Sequence, residues 1–258
     1  MTSFRHLKGG PVTPSLYRAI NRRVGRAQMD WNMIADRDRI LVGLSGGKDS
    51  LSLLWILKER LRRAPVGYEI LAGHVDPGFP GGSSQRLAAW CAGEGFSLTV
   101  EHTQDGPEAH GEENLENPCF LCSRRRKQRL FQMADRLGCN KVALGHHKDD
   151  LIESLFLSMC YAGEMATMRP RQDFFGGRMT IIRPLAYVDE EQLVRFSRAL
   201  AFPAFPSGCP SDGITKRSEI KDLLTRLYAG NRKIKGNLFR SMSRVRTDYL
   251  LTRPDDAS

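Results

Sequence analysis

The stretch Arg39-Ile-Leu-Val-Gly-Leu-Ser-Gly-Gly-Lys-Asp-Ser50 is the most informative part of the chain, because it joins a strand pattern to a helix pattern through a glycine-rich turn. Residues 39–44 are a short apolar run typical of a buried strand, and an apolar-periodic helix begins at Leu51. The two glycines let the backbone approach a phosphate closely, and the helix start offers unpaired N–H groups. The stretch therefore predicts a phosphate-binding loop at residues 45–50.

The predicted loop is not of the Walker A type. A Walker A loop has Gly six positions before its Lys and Ser or Thr directly after it, whereas these positions are Val42 and Asp49 here. Ser45 and Ser50 add hydroxyl donors, and Lys48 adds a positive charge. The complete six-residue string is more specific than a bare Gly-Gly turn, and we interpret it as an ATP-binding loop.

Strand-like and helix-like segments alternate through the middle of the chain. The strand candidates are 39–44, 69–75, 96–102, 141–144 and 179–185. The helix candidates are 51–63, 85–93, 123–137, 151–161 and 190–201. This alternation predicts an α/β fold, with a parallel sheet and helices on both faces. Ligands of such sheets bind at the carboxyl ends of the strands, where the motifs discussed here fall.

Charge is unevenly distributed and suggests three regions. We expect a basic N-terminal helix at 1–30, a phosphate-loop domain at 31–205 and a basic helical arm at 206–258. Residues 1–29 hold six Lys or Arg and no acidic residue, and residues 216–246 hold ten Lys or Arg against two acidic residues. Two basic ends around a near-neutral centre favour a polyanionic partner, above all nucleic acid, over simply solvated helix faces.

The sequence also indicates a cytoplasmic protein. No run approaches the roughly 20 apolar residues that span a bilayer, and the N-terminus has no apolar core of a signal peptide. The six cysteines would remain reduced in the cytosol, so we expect no disulfide framework.

The string at 45–50 is the signature of the N-type ATP pyrophosphatases of the PP-loop superfamily. The surrounding sequence resembles the bacterial tRNA 2-thiocytidine synthetase (TtcA) family over roughly residues 16–206. The resemblance rests on four segments: Val24-Gly-Arg-Ala-Gln-Met-Asp-Trp-Asn-Met33 through Leu57, Pro118-Cys-Phe-Leu-Cys-Ser123, Ala143-Leu-Gly-His-His-Lys-Asp-Asp150 and Ile182-Arg-Pro-Leu-Ala-Tyr187. It implies a five-stranded parallel sheet of the adenine nucleotide alpha-hydrolase-like type.

A second glycine-containing turn is predicted after the strand at 141–144. Gly145 permits close backbone approach, and Asp149 and Asp150 are placed to hold Mg²⁺ on phosphates, although helix capping is the alternative role for an aspartate. The resemblance implies that this segment borders the nucleotide across from the phosphate loop. It also implies that Asp76, at the end of the second strand, lies near the nucleotide.

Cys119 and Cys122 form a lone C-x-x-C motif. By itself such a pair is compatible with a redox role, metal binding or no special role. In the resembled family the pair supplies two ligands of a [4Fe–4S] cluster, and a downstream Pro-Cys-x-x-Cys segment supplies a third. Here the corresponding segment, 205–211, holds one cysteine, Cys209, which is the candidate third ligand. The remaining cysteines are expected to be buried core thiols: Cys91, Cys139 and Cys160.

The resemblance implies an ATP-dependent tRNA sulfurtransferase. Such an enzyme transfers AMP from ATP to the C2 carbonyl oxygen of a cytidine, releases pyrophosphate and replaces the oxygen with sulfur to give 2-thiocytidine. The cofactors would be ATP, Mg²⁺ and a [4Fe–4S] cluster, and the partners tRNA, a cysteine desulfurase or another sulfur donor, and a second copy in a homodimer. The candidate catalytic residues are Lys48, Asp49 and Asp150. The candidate ATP-binding residues are Ser45, Gly46, Gly47, Lys48, Asp49, Ser50, Asp76, Gly145 and Asp149.

Three other functions remain compatible with the sequence. The first is a PP-loop ligase or amidotransferase, in which an amine replaces sulfide as the nucleophile. The second is thiolation of a different nucleobase, because the segment around Cys209 departs from the family pattern. The third is a non-enzymatic RNA-binding protein with structural zinc, against which the intact phosphate loop argues.

Overall fold

The computed structural model describes residues 13–112, 114, 117–206, 208–211, 213 and 215–251. Parts of the predicted basic ends and of the predicted cysteine segment lie outside the described residues: 1–12, Ser207 and 252–258. The described chain divides into two compact units. The first is formed within 1–149 and 169–214, and the second within 150–168 and 215–258.

A six-stranded sheet forms the centre of the first unit. Its strands are β1 (Asp38–Gly43), β2 (Tyr68–Asp76), β3 (Leu98–His102), β4 (Lys141–Ala143), β5 (Arg171–Phe174) and β6 (Met179–Ile182). Their order is β3-β2-β1-β4-β6-β5, and every neighbouring pair is parallel except β5 and β6. The predicted α/β class with a parallel sheet is confirmed, and the structure adds one antiparallel edge strand.

The added strand β5 forms a tight hairpin with β6. Phe174 pairs with Met179, and the three residues after Phe174 all have positive φ, which is 53° at Phe175, 65° at Gly176 and 88° at Gly177. Two adjacent glycines adopt this conformation at little steric cost. The residues of β5 are Arg, Gln, Asp and Phe, without apolar alternation, and this is why the sequence did not indicate the strand.

Nine α-helices occur in the described residues. They are α1 (Pro14–Asp30), α2 (Lys48–Leu61), α3 (Ser84–Gly93), α4 (Asp105–Ala109), α5 (Pro118–Arg136), α6 (Lys148–Leu157), α7 (Glu190–Ala199), α8 (Lys216–Gly230) and α9 (Lys233–Ser241). Helix α5 begins five residues before the predicted start at 123, because the Asn117 side chain accepts a hydrogen bond from the Cys119 N–H and Pro118 suits the first helical position. Among the helices described, none is long and apolar enough to cross a membrane.

Buried apolar residues hold the first unit together on both faces of its sheet. The basic helix α1 contributes an apolar stripe to the larger cluster, which also takes in β1 and α2. At the amino ends of the strands, the buried Lys141 ammonium lies 2.5 Å from the Asp38 carboxylate and donates to the Met33 carbonyl. The second unit has its own small core of Ile152, Ile220 and Leu224.

Candidate active site

The phosphate loop curls around the start of α2, at the carboxyl end of β1. The N–H of Gly47 donates to Ser45 Oγ at 3.3 Å, and Ser50 Oγ donates to the Gly47 carbonyl at 2.9 Å. Gly46 has a φ of +83°, and a Cβ there would lie 2.7 Å from the Cβ of Phe205. The loop is thus shaped by its own hydroxyls, and no side chain caps the N-terminus of α2, which offers N–H groups to an anion.

Lys48 is held between two carboxylates. Its ammonium lies 3.0 Å from Asp49 Oδ2 and 3.2 Å from Glu190 Oε1. Burial lowers the pKa of Lys48, but the two carboxylates outweigh burial and hold that pKa above its ordinary value. The Lys48 side chain is therefore cationic at neutral pH. Glu190 was not predicted as a site residue, because it lies 142 positions away at the start of α7.

The turn after β4 lies directly against the phosphate loop. A Cβ on Gly145 would come within 2.9 Å of the Ser50 nitrogen and 3.0 Å of the Asp49 carbonyl carbon. The absence of a side chain therefore allows backbone contact between the two turns. Gly145 therefore lies directly beside the loop, and its role in bordering a nucleotide stays a prediction.

Buried His147 lies between aspartates of the two turns. Its Nε2 is 3.9 Å from Asp49 Oδ2, and its Nδ1 is 3.8 Å from Asp149 Oδ2. Asp149 Oδ2 also accepts the backbone N–H of Glu190 at 2.8 Å. The Asp149 carboxylate thus caps the N-terminus of α7. Helix capping was the alternative role considered for this aspartate. Its carboxylate remains in the same group of charges as Lys48.

Asp76 ends β2, and its carboxylate is held by two hydrogen bonds. Its carboxylate accepts from the Gly78 N–H and the Ser84 hydroxyl and lies 3.3 Å from His102 Nδ1. Burial raises the pKa of the Asp76 carboxyl, but the hydrogen bonds from Ser84 and Gly78 outweigh burial, so its pKa lies below the ordinary value. Asp76 is therefore a fixed anion at the carboxyl end of its strand.

Asp150 belongs to the second unit. Its Oδ1 lies 3.8 Å from Nη1 of Arg217. The Nε of the same arginine lies 3.7 Å from Glu153 Oε2. Within that unit the Asp150 carboxylate is part of an ion-pair network. Its assignment as a catalytic residue stays a prediction.

Of the three candidate ligand cysteines, Cys119 is close enough to both Cys122 and Cys209 to interact electrostatically with them. Burial and the neighbouring Cys209 raise the pKa of the Cys119 thiol, a hydrogen bond with Ser211 lowers it, and Cys122 raises it further. Two further groups accompany them. Cys209 Sγ is 4.0 Å from His110 Nε2, which is itself 2.8 Å from Ser211 Oγ.

This donor set fits an iron–sulfur cluster chemically. Soft thiolates are the usual cluster ligands, and the mutual repulsion of Cys119, Cys122 and Cys209 as thiolates is relieved by a bound cation. Over the part of the chain that the structure describes, no three His, Cys, Asp or Glu side chains form a group that could hold a metal ion. Joint ligation by the three cysteines stays a prediction.

The other cysteines differ from one another in burial. Cys91 and Cys139 are buried, as expected for core thiols, and burial raises the pKa of Cys91 to about 11. The prediction was wrong for Cys160, which is exposed in a π-helical turn at Ser158–Ala162 of the second unit. Its sequence neighbours Met159 and Tyr161 are exposed as well, so the apolar local sequence does not indicate burial at this turn.

Comparison with known proteins shows which family this chain resembles. A model of the PP-loop domain family matches residues 16–203. The tRNA-cytidine(32) 2-sulfurtransferase of Geobacter sulfurreducens is 41% identical over 239 residues, which cover 91% of this chain and 93% of the relative. That of Geotalea uraniireducens is 39% identical over 245 residues, covering 94% and 97% of the two chains.

A solved structure has the same fold. It is the U34-tRNA thiolase NcsA from Methanococcus maripaludis with its [4Fe-4S] cluster, which superposes with a TM-score of 0.72. The match covers 92% of this chain and 80% of that one, at 21% identity. At this identity the likeness concerns the fold.

Proposed function

The chain belongs to the PP-loop domain family, among the tRNA-cytidine(32) 2-sulfurtransferases, and from this we propose that it adenylates the C2 carbonyl of a tRNA cytidine and replaces the oxygen with sulfur. It is a sulfurtransferase that acts on tRNA. The product proposed is 2-thiocytidine, with AMP and pyrophosphate released from ATP.

One observation carries the proposal: a single segment runs from the phosphate loop to the thiols. Phe205 lies against Gly46 in the loop, and Cys209, four residues later, interacts with Cys119. Four residues of chain span at most roughly 14 Å. ATP cleavage and sulfur delivery can therefore act on one bound base, as two-step replacement of a carbonyl oxygen requires.

The phosphate loop and its neighbours would carry out the activation step. The N–H groups at the start of α2 and the Lys48 ammonium would stabilise negative charge that develops on departing pyrophosphate. The carboxylate of Asp149 offers hard oxygen ligands for Mg²⁺, which would share that task, and we retain Asp49 and Asp150 as candidate catalytic residues. Asp76 is proposed to border the nucleotide.

The thiols would carry the sulfur-transfer step. Cys119, Cys122 and Cys209 are proposed to hold a [4Fe–4S] cluster, which would supply the iron chemistry for sulfur transfer. Ser211 and His110 lie beside these thiols and would orient them. A cysteine desulfurase or another donor would provide the sulfur.

The basic residues are proposed to hold the tRNA backbone. We place this role in the N-terminal helix within 1–30 and the arm at 206–258, flanking a PP-loop domain at 31–205. Lys and Arg on these segments would neutralise phosphates, so tRNA binding should weaken steeply with salt. A homodimer and a cytoplasmic location complete the proposal.

Mass spectrometry of tRNA nucleosides tests this function. A strain that lacks the gene should lose 2-thiocytidine, and the wild-type gene should restore it. Lys48→Ala should fail to restore it, because the pyrophosphate charge is no longer neutralised. Arg62→Ala, which removes an exposed cation at the end of the same helix, is the matched control and should restore it fully. If the deletion strain kept all its thionucleosides, the protein would not be a tRNA-thiolating enzyme. If it lost a thiolated base other than 2-thiocytidine, that base would be the substrate instead.

A further inference from the structure

The second unit contains a pocket that the proposed chemistry does not use. Its volume is about 400 Å³, within the range of roughly 300–1,000 Å³ typical of small-molecule sites. Ten residues line it: Leu155, Met165, Thr167, Ser241, Met242, Arg244, Val245, Arg246, Tyr249 and Leu250. All ten belong to the second unit.

Apolar side chains form most of the lining and remain exposed. Leu155 is buried at the end of α6, whereas Met165 is 63% exposed, Val245 49% and Tyr249 74%. Large apolar groups gathered around a concavity commonly mark a binding site. The aliphatic hydroxyls of the lining already donate within the unit, from Thr167 to the Leu151 carbonyl and from Ser241 to the Leu238 carbonyl. Their oxygens can still accept a hydrogen bond from a ligand.

Positive charge distinguishes this pocket from an ordinary apolar groove. Arg244 and Arg246 are part of the lining, and the guanidinium carbon of Arg246 lies 4.1 Å from the centre of the Tyr249 ring. The guanidinium therefore lies over one face of the Tyr249 ring, as in a cation–π contact. Residues 215–251 as a whole contain ten Lys or Arg against three Asp or Glu. An anionic ligand is therefore favoured.

An aromatic face, an apolar wall and adjacent cations together match one kind of ligand, a nucleotide of a single-stranded nucleic acid. Bases stack on exposed aromatic rings, and arginines bind the neighbouring phosphates. A partner helix would instead need a longer apolar groove that accepts several side chains at helical spacing.

We propose that this pocket binds one unstacked nucleotide of the tRNA substrate. The base packs on Tyr249 against Met165 and Leu155, and Arg244 and Arg246 contact the phosphates. The proposal rests on the tRNA-directed function above, and it adds a contact that no phosphate-loop or cysteine residue makes. Its role is to fix an extruded loop of the RNA.

Binding of a fluorescein-labelled RNA stem-loop, measured by anisotropy with the full chain and without ATP, tests the pocket. Tyr249→Ala should weaken binding on the order of tenfold through loss of stacking. Tyr249→Phe keeps the ring and should bind within about twofold of wild type. Leu251→Ala is the matched control, because Leu251 is fully exposed and lies outside the lining, and it should bind like wild type. Circular dichroism checks that each variant is folded.

The possible outcomes distinguish failure of the pocket proposal from failure of the proposed thiolation function. Equal affinity of Tyr249→Ala and wild type, with thiolation activity present in wild type, would overturn the pocket and leave the proposed function standing. Failure of wild type to bind any RNA would overturn both. Light scattering tests a third outcome. If Tyr249→Ala changed a dimer into a monomer and left RNA affinity unchanged, the pocket would be a contact between two copies of the chain, and the nucleotide site would be overturned.

Discussion

The ammonium of Lys48 in the phosphate loop lies 3.2 Å from the carboxylate of Glu190 at the start of α7. A cation proposed to meet ATP phosphates is therefore already paired with a carboxylate of the protein. In the proposed role, incoming phosphate would have to compete with Glu190 for Lys48, and Glu190 would itself repel the phosphate. We therefore expect the ion pair to orient Lys48 at a cost in nucleotide affinity.

Replacement of Glu190 by Gln should tighten ATP binding. Removing one competing and repelling charge from a partly buried pair is expected to lower the Kd for a non-hydrolysable ATP analogue about fivefold, equivalent to ~1 kcal/mol. Isothermal titration calorimetry measures this directly. Glu191→Gln, which removes the same charge from an exposed neighbour in the same helical turn, serves as the control. Equal affinities of the two variants would exclude competition by Glu190.

A methyl group on Gly145 should disrupt the nucleotide site. The added Cβ would meet backbone atoms of Ser50 and Asp49 at about 3 Å, so the two turns must separate. We expect Gly145→Ala to destabilise the fold by about 1–3 kcal/mol in urea unfolding and to abolish binding of the ATP analogue. Gly236→Ala in α9 has open space and should instead stabilise by about 0.5–1 kcal/mol. If Gly145→Ala kept wild-type stability and wild-type affinity for the ATP analogue, the two turns could not be in backbone contact.

Loss of a cluster ligand should be visible as loss of iron. After anaerobic reconstitution of the full chain, Cys209→Ser should contain less iron and show weaker visible absorbance than wild type, and the same holds for Cys119→Ser. Cys160→Ser is the control, because Cys160 is exposed in the second unit and should leave iron content unchanged. A colourless wild-type protein that still thiolates RNA would refute cluster ligation by these thiols.

The ion pair of Asp38 with Lys141 should make stability depend on pH. Burial raises the pKa of Asp38, but hydrogen bonds from Ala35, Lys141 and Asn140 outweigh burial and hold its pKa below the ordinary value. A carboxyl with a depressed pKa stabilises the fold above its unfolded pKa of about 4, and this stabilisation is lost as pH falls towards the folded pKa. Asp38→Asn should therefore destabilise by about 3–5 kcal/mol at pH 7, where it leaves buried Lys141 uncompensated.

Urea unfolding of wild type and Asp38→Asn across pH tests this expectation. The difference between the two proteins should shrink below about pH 4. Asn140→Ala, which removes one hydrogen bond to Asp38 without removing the charge, should cost less at pH 7. A difference that is constant with pH would contradict the assignment.

The relation of sequence to fold is clearest at β1 and β5. The apolar run before the phosphate loop and the periodic helix after it are local patterns, and both elements form, with shifted bounds. Strand β1 lies one residue before its predicted range, and α2 begins at Lys48, three residues before the predicted start at Leu51, so the second half of the predicted loop is the first turn of the helix. The edge strand β5 escaped detection because its residues are polar, and its pairing depends on the Gly176–Gly177 turn and the exposed edge of β6.

The sequence by itself determined the elements whose signal lies within a few residues: the phosphate loop at 45–50, the alternation of strands and helices, and the C-x-x-C pair. Which loops meet was decided by tertiary structure alone. Glu190 lies 3.2 Å from Lys48 because the carboxyl ends of parallel strands gather distant turns at one edge of the sheet. Strand order sets those neighbours, and no local periodicity encodes strand order.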